Sequence, residues 1–546
     1  MKGTHSVLVL MAKMVKFPPL KSLSLFYRST HQGFQHTHQS VSFILLQLLS
    51  SNSLPSAQSL LLNILSNRLS SPFFTVSSLT HHLTQPHFSP NPTTLALLYE
   101  SVINAHVKSH LPEQALFFFN QMIDKGLVPG TNTFNNLLSS LIKSKHFVKS
   151  WFVYNLGKGR VKLDAYSFGI MIKGCCQLGD LERGFELLVQ LEEMGLCANV
   201  VMYTTLIDGC CKSGDTDKAK FLFDKMGELG LVPNQYTYTA LIDGFFKKGH
   251  RKDGFQLYQK MKICGVTPNL YTYNCLINEY CNEGQMYKAY ELFDEMRDKG
   301  VAMNVVTYNT MLCGLCRGKR VAEAEKLIIR MKKAGIAPNL ITFNTLIDGL
   351  ANLGMIDKAS NLFEEMKSSG QSPSLVTYNI LIECHSKAGD FVAVVDLVRQ
   401  MEERGISPSK VTYTILINAY VRCGHMKKAF QLYHFMENVG MAPDVYIYGV
   451  LVHGLCMEGN MKEASTLFQL MGQMQIEPNG VIYDTMIHGY CKQGSSYRAL
   501  RLIDEMVKKG LVPSDASYNS TIGILHKDGK WQAADDLLRK MREARI

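Results

Sequence analysis

The sequence predicts an all-α chain built as an α-solenoid of about thirteen 35-residue helix-turn-helix repeats. Three observations carry this prediction. The chain repeats itself with a fixed period, each period holds two runs of apolar residues spaced three and four apart, and no run of strict apolar-polar alternation competes. Starting at Val200, repeats begin again at Gln235, Leu270, Val305, Leu340, Leu375, Lys410, Val445, Gly480 and Asp515, with weaker ones at Ala96, Thr131 and Ala165. A pair of short amphipathic helices cannot bury its apolar stripe alone, so the pairs must stack into one continuous core.

The repeat VVTYNTMLCGLCRGKRVAEAEKLIIRMKKAGIAPN shows the elements in order. Its first helix is expected from Val306 to Cys316, where RGKR breaks it. The second, AEAEKLIIRMKKAG, should end at Gly335, with Pro338 following as a stop. With the first helices lining one surface of the stack, the aromatic residue in Thr-Tyr-Asn packs between helices and the next residue faces the groove.

Ahead of the array lies a segment of different composition, residues 1–95. The first acidic residue of the chain is Glu100, while Lys2, Lys13, Lys16, Lys21, Arg28 and Arg68 precede it, so six of the eleven net positive charges sit in this head. An acid-free stretch rich in Ser, His and Leu, such as KSLSLFYRSTHQGFQHTHQS, has the make-up of an organellar transit peptide followed by a poorly structured region. A plain disordered tail is the alternative. The apolar runs VLVLMA and FILLQLL are too short to span a bilayer, so no membrane insertion is expected.

Many of the fourteen cysteines recur at one place in the period, as Cys176, Cys211, Cys281, Cys316, Cys456 and Cys491. Cysteines on successive stacked repeats are expected to lie too far apart to share a zinc ion or a disulfide, and read as small buried thiols. The CGLC at 313–316 has ligand spacing without a second Cys or Cys/His pair in register. No metal and no cofactor are expected.

The recurrence in fixed order of Tyr-Asn/Thr, Gly-Leu-Cys-Lys, Lys/Glu-Ala, Met and Gly-x-x-Pro-Asn/Asp closely resembles the pentatricopeptide repeats of plant organellar proteins. Because every clear repeat is of the plain 35-residue kind, the chain resembles their P-class over residues 96–546. The resemblance implies a protein that binds single-stranded RNA, with two side chains per repeat reading one base. Carried onto this chain, the reading residues are the one after the aromatic and the one closing the repeat. They are Asn135 with Asp164, Thr204 with Asn234, Thr239 with Asn269, Asn274 with Asn304, Asn309 with Asn339, Asn344 with Ser374, Asn379 with Ser409 and Thr414 with Asp444. Asp in the closing place accepts from the ring N–H of U or G, and Asn or Ser donates to the ring nitrogen of A or C. Thr after the aromatic leaves room for a purine, whereas Asn suits a pyrimidine. The implied target is 5′-U?AAYYCCG-3′. Glu100 with Gly130, Gly169 with Asn199, Gly449 with Asn479 and Asp484 with Ser514 depart from the pattern and assign no base. A competing explanation is that these residues merely start helices well. It fits the closing place better than the place inside the helix.

Two further stripes suit a nucleic-acid groove. Val201, Tyr236, Tyr271, Val306, Ile341, Val376 and Val411 stand beside the reading residues and could sandwich bases, with core packing as the alternative. Lys212, Lys247, Arg317, Lys387, Arg422 and Lys492 recur near the end of the first helix and could meet phosphates. A solvated helix end, favoured by the helix dipole, is the alternative there.

The expected role is sequence-specific RNA binding in organellar RNA processing, foremost the splicing of a mitochondrial group II intron, with other splicing factors as partners. Transcript-end stabilisation, translation activation and a chloroplast location are the alternatives within that class. A protein-binding helical scaffold is the alternative outside it. Enzyme activity is not expected. The His-x-Glu with paired Cys-x-x-Cys of a deaminase and the Gly-x4-Gly-Lys-Ser/Thr phosphate loop are both missing from the sequence, and no small-molecule substrate is implied.

Overall fold

The structure is a computed structural model that describes residues 12, 14–32, 34, 36–66, 75–83 and 91–543. Among these residues there are thirty helices and no strand. The chain divides into two compact units, Met1–Thr272 and Tyr273–Ile546.

The first unit opens with α1 (Pro19–His31), α2 (His38–Ser50), α3 (Leu54–Leu65), α4 (Val76–Leu83) and α5 (Pro92–Lys108). From α5 on, each repeat contributes a helix pair, for example Val200–Ser213 with Thr216–Glu228 and Gln235–Lys247 with Arg251–Ile263. The second unit repeats the pattern from Val305–Arg317 with Val321–Lys333 to Asp515–Lys527 with Trp531–Glu543. Within each unit a first helix packs on its own second helix and on the first helix of the next repeat. The chain is therefore an all-α solenoid of paired helices, and the expected break at RGKR falls between Arg317 and Val321.

Three recurring contacts explain why the period is so strict. The methionine late in each second helix, from Met226 through Met261, Met296, Met331 and Met366 to Met506, is fully buried. A Met-to-Ala change at such a site costs about 2–5 kcal/mol. The aromatic residue before the reading position meets a Phe of the preceding repeat edge to face. Phe223 and Tyr238 lie 5.4 Å apart at 70°, Phe293 and Tyr308 5.3 Å at 86°, and Phe468 and Tyr483 5.1 Å at 82°, an arrangement the ring quadrupoles favour. Finally, a helical glycine rests on the cysteine of the preceding repeat. A Cβ on Gly244 would lie 2.4 Å from Cys211 Sγ, one on Gly314 2.5 Å from Cys281 Sγ, and one on Gly349 2.5 Å from Cys316 Sγ. The recurring cysteines are thus packing atoms, and burial pushes the thiols of Cys176, Cys211, Cys281 and Cys316 up to about 12.

The head departs from expectation. Where a poorly structured region was predicted, α1 to α4 form, α2 and α3 pack on α5, and α5 itself begins at Pro92, before the expected boundary at 95/96. The cause is apolar spacing. Leu45, Leu48 and Leu49 on α2 and Leu60, Leu61 and Ile64 on α3 are buried as a stripe, and a lack of acidic residues does not prevent helix formation. Residues 1–11, Lys13 and Arg68 lie outside the described residues, as does most of VLVLMA. Among the described residues no helix is long and apolar enough to cross a membrane, and no group of three or more His, Cys, Asp or Glu could hold a metal ion.

Candidate nucleic-acid interface

Each closing residue is the cap of the next helix, and its capping atom is spoken for. Asn234 Oδ1 accepts from the Thr237 N–H at 3.1 Å, Asn269 Oδ1 from Thr272 at 2.9 Å, Asn304 Oδ1 from Thr307 at 3.1 Å and Asn339 Oδ1 from Thr342 at 3.0 Å. Ser374 and Ser409 accept through Oγ from Thr377 and Thr412 at 3.4 Å, and Asp164 and Asp444 through Oδ1 from Ser167 and Ile447 at 2.8 and 3.1 Å. Helix starting is thus real, and it fixes what remains to offer a ligand. An Asn with its oxygen on the backbone turns its NH2 donors away from the helix, and an Asp keeps one oxygen clear of the cap. Capping and donor or acceptor display come from one geometry.

The residues after the aromatic are half-buried at Thr204, Asn274, Asn309, Asn344, Asn379 and Thr414, and buried at Asn135 and Thr239. They meet their closing partners directly in two repeats, with Asn135 Nδ2 donating to Asp164 Oδ1 at 3.1 Å and Asn309 Nδ2 to Asn339 Oδ1 at 3.3 Å. Burial alone would raise the Asp164 carboxyl. Hydrogen bonds from the Ser167 backbone and side chain and from Asn135 outweigh it and hold the group below its ordinary value.

The apolar stripe is not core. Val201, Tyr236, Tyr271, Val306, Ile341, Val376 and Val411 are all between 55% and 67% exposed, far from the full burial of the neighbouring Tyr and Phe. The structure also extends this stripe to three residues not singled out from the sequence, Tyr166, Tyr446 and Val481, which hold the same place and are equally open. Their signal was available in the period alone.

The basic stripe is exposed as well, but its charge is partly met at home. Lys212 pairs with Asp208 at 2.6 Å, Lys247 with Asp243 at 2.6 Å and Lys387 with Glu383 at 2.7 Å, each one helical turn earlier. Arg317 donates to Asn282 at 2.6 Å. Lys492 Nζ lies 3.8 Å from Met457 Sδ, and Arg422 is exposed. Sequence reasoning counted the cations and passed over the acids four residues upstream.

Two of the repeats that assign no base place a carboxylate at the next helix start. Glu100 Oε1 accepts from the Gly130 N–H at 2.6 Å. Asp484 Oδ1 accepts from the Ser514 N–H at 3.3 Å and the Ser517 hydroxyl at 2.6 Å. In both, the second carboxylate oxygen takes no part in these bonds.

In the first unit the stripes and a reading pair converge. A cleft of about 1100 Å³ is lined by Thr239, Asn269, Tyr236, Tyr271, Lys212 and Lys247 among others. The lining combines ring faces, hydrogen-bonding side chains and the carboxylates of Asp208 and Asp243 that pair with the two lysines.

The PPR repeat family model matches residues 198–247, 237–282, 268–317, 303–352, 338–387, 373–421, 410–457 and 478–527, and a PPR repeat model matches 98–127, 166–196, 446–476 and 516–546. A pentatricopeptide repeat-containing protein of Arabidopsis thaliana is 51% identical over 202 residues, which is 37% of this chain and 35% of that protein. A mitochondrial pentatricopeptide repeat-containing protein of the same plant is 33% identical over 107 residues, 19% of this chain and 27% of that one. The matches thus span about a third of these relatives' own length. The crystal structure of the pentatricopeptide repeat protein PPR10 from maize superposes with a TM-score of 0.60 at 20% identity, covering 98% of this chain and 93% of that one. Period, helix pairing and family models agree, and the chain belongs to the PPR, or pentatricopeptide, repeat family.

Proposed function

We propose that this chain is a P-class pentatricopeptide repeat protein that binds single-stranded RNA of the form 5′-U?AAYYCCG-3′ without catalysing a reaction on it. The observation that carries the reading is the cleft at Thr239 and Asn269, where two aromatic rings, a capped amide and two lysines share one space. Stacking on such rings is tolerant of base identity, so the hydrogen-bonding pair must supply the choice. Maize PPR10 itself forms a complex with an 18-nt psaJ RNA element; for the present chain the reading rests on its own side chains.

The proposed setting is organellar RNA processing, in particular splicing of a mitochondrial group II intron, where a bound stretch of about nine bases would hold the intron in a competent fold. Other splicing factors are the proposed partners. Relatives carry both mitochondrial and chloroplastic names, and the acid-free composition of the head favours import. Fusing residues 1–95 to a fluorescent reporter tests this: import into mitochondria is expected, and a cytosolic reporter refutes it. The binding test is titration of the full chain with the proposed RNA, a scrambled RNA and duplex DNA across salt concentrations. Preference for the proposed RNA is expected, with affinity falling steeply as salt rises. Equal binding to duplex DNA, or none to any RNA, overturns the reading.

A further inference from the structure

The third residue of each helix that a closing residue caps is Ser167, Thr237, Thr272, Thr307, Thr342, Thr377 or Thr412, and Ile447 in the eighth case. All seven hydroxyl residues are fully shielded from solvent. As members of a capping box their oxygens accept from the backbone N–H of the closing residue, at 3.1 Å for Thr342 with Asn339 and 3.0 Å for Thr377 with Ser374. That accounts for the helix start; the hydroxyl proton has the cap's own side chain within reach, as at 3.0 Å from Thr342 to Asn339 Oδ1, and in several repeats a shorter bond to the preceding repeat.

That bond reaches across the repeat boundary. Thr342 donates to Asn309 Oδ1 and Thr377 to Asn344 Oδ1, each at 2.7 Å, while the Ser167 hydroxyl is shared between Asn135 Oδ1 at 2.7 Å and Asp164 Oδ1 at 2.8 Å. Thr272 and Thr239 are 2.6 Å apart, and because Thr239 donates to the Gln235 carbonyl at 2.6 Å, Thr272 is the donor. Thr237 and Thr204 are 2.7 Å apart. These bonds do nothing for the capped helix. They act on the residue after the aromatic in the preceding repeat.

The geometry points to this buried hydroxyl as a positioning residue for base choice, one that pins the oxygen of the reading side chain so that a defined hydrogen-bonding edge faces the RNA. The inference rests on the RNA-reading function proposed above. An unpinned Asn can turn its amide over, exchanging donors for an acceptor, and Asn and a pyrimidine edge then match in either sense. Repeats differ in this respect. The oxygens of Asn274 and Asn379 are buried without a hydrogen-bond partner, the hydroxyls of Thr307 and Thr412 staying with their own caps at 3.2 and 3.1 Å. Thr414 faces a repeat whose third residue, Ile447, has no hydroxyl at all. Discrimination should therefore be sharp at Asn344 with Ser374 and blunt at Thr414 with Asp444, although both pairs have residues suited to one base.

The test uses the full chain and RNAs of the proposed sequence carrying C or U opposite Asn344 and Ser374. Wild type should prefer C by about tenfold or more, the Thr377→Val variant should fall to within about threefold of no preference, and Thr377→Ser should restore it. A hydroxyl serving the helix start alone would lower thermal stability and weaken both RNAs alike, leaving the ratio intact. That result in a folded Thr377→Val protein overturns the inference. Should Thr377→Val fail to fold, Ile447→Thr decides: installing the missing hydroxyl should sharpen G over A opposite Thr414 and Asp444 by about threefold or more, and an unchanged ratio overturns the inference. Wild type binding RNA with no preference opposite Asn344 would instead remove the base-reading function itself, and the inference with it.

Discussion

Asn135 with Asp164 and Thr414 with Asp444 both end in an aspartate that caps the next helix, yet the two carboxylates are spent differently. At Asp164 the backbone and hydroxyl of Ser167 and the amide of Asn135 all converge on Oδ1, at 2.8, 2.8 and 3.1 Å. Oδ2 takes no part in these bonds. At Asp444 the cap takes Oδ1 at 3.1 Å, and Lys410 Nζ stands 3.3 Å from Oδ2, the oxygen a guanine N–H would need. The same residue type in the same place of the repeat thus offers a bare acceptor in one case and an ion-paired one in the other. Under the proposed reading, what a repeat can recognise depends on the neighbours of its two reading residues as well as on their identity.

The largest effect should be one the two regions share. Phe134 and Tyr413 are both buried frame residues before a reading position. Replacing either with Ala should cost about 3–5 kcal/mol in urea unfolding, and a much smaller loss at Tyr413 would show that the second repeat has a looser frame, breaking the comparison. Next comes transplanting the Thr and Asp pair into a repeat with a hydroxyl beneath it. Asn344→Thr with Ser374→Asp should change the preferred base there from C to G by about 1–3 kcal/mol, roughly tenfold to a hundredfold in affinity, with neighbouring bases unaffected. Binding to two RNAs differing only at that base measures it. Equal preference in both proteins would mean these positions do not read.

Smaller is the ion pair. Lys410 and Asp444 are both substantially exposed, so releasing Oδ2 with Lys410→Gln should raise G preference only about twofold to threefold, within the 0–1 kcal/mol of an exposed pair. A loss of G preference would mean the lysine assists rather than competes. The smallest effect is a null one. Because the folded Asp164 carboxyl lies below its ordinary 3.8, its contribution is present above that pH and lost only as pH falls through the lower folded value. Preference for U opposite Asn135 and Asp164 should therefore hold unchanged from pH 7 to pH 5, and a decline within that window would contradict the hydrogen bonding described.

The array was legible because each 35-residue period repeats both the apolar spacing and its punctuation. Gly335 in the left-handed region at φ 74°, then Pro338 and the capping Asn339, mark a boundary that no other element could use. The place after the aromatic was legible for the same reason. The helices of the head went unread because composition was weighed over spacing, although the leucine stripe of α2 and α3 was there to be read. The hydroxyl bonds across repeats could not be read, since a Thr third in a helix already has a sufficient local explanation in the capping box. Nor does sequence show that Lys410 reaches Asp444, thirty-four residues on, rather than solvent.

The close approach of Gly244 to Cys211, and of Gly314 to Cys281, has a consequence for how such a chain can be shuffled. Matching repeats invite recombination, by genetic exchange or by design, as though each were a spare part. Yet the Leu375 repeat carries Cys384 where the preceding repeat carries Gly349, and that preceding repeat carries Ala351 where others carry the cysteine. Moving the Leu375 repeat behind one that ends its first helix in cysteine would set thiol against thiol in a space that admits only a hydrogen, an overpacking cost of about 1–3 kcal/mol. Interchange is restricted to repeats whose edges are compatible, so the order of recognition units along the chain is constrained by fit at their borders before any RNA is involved.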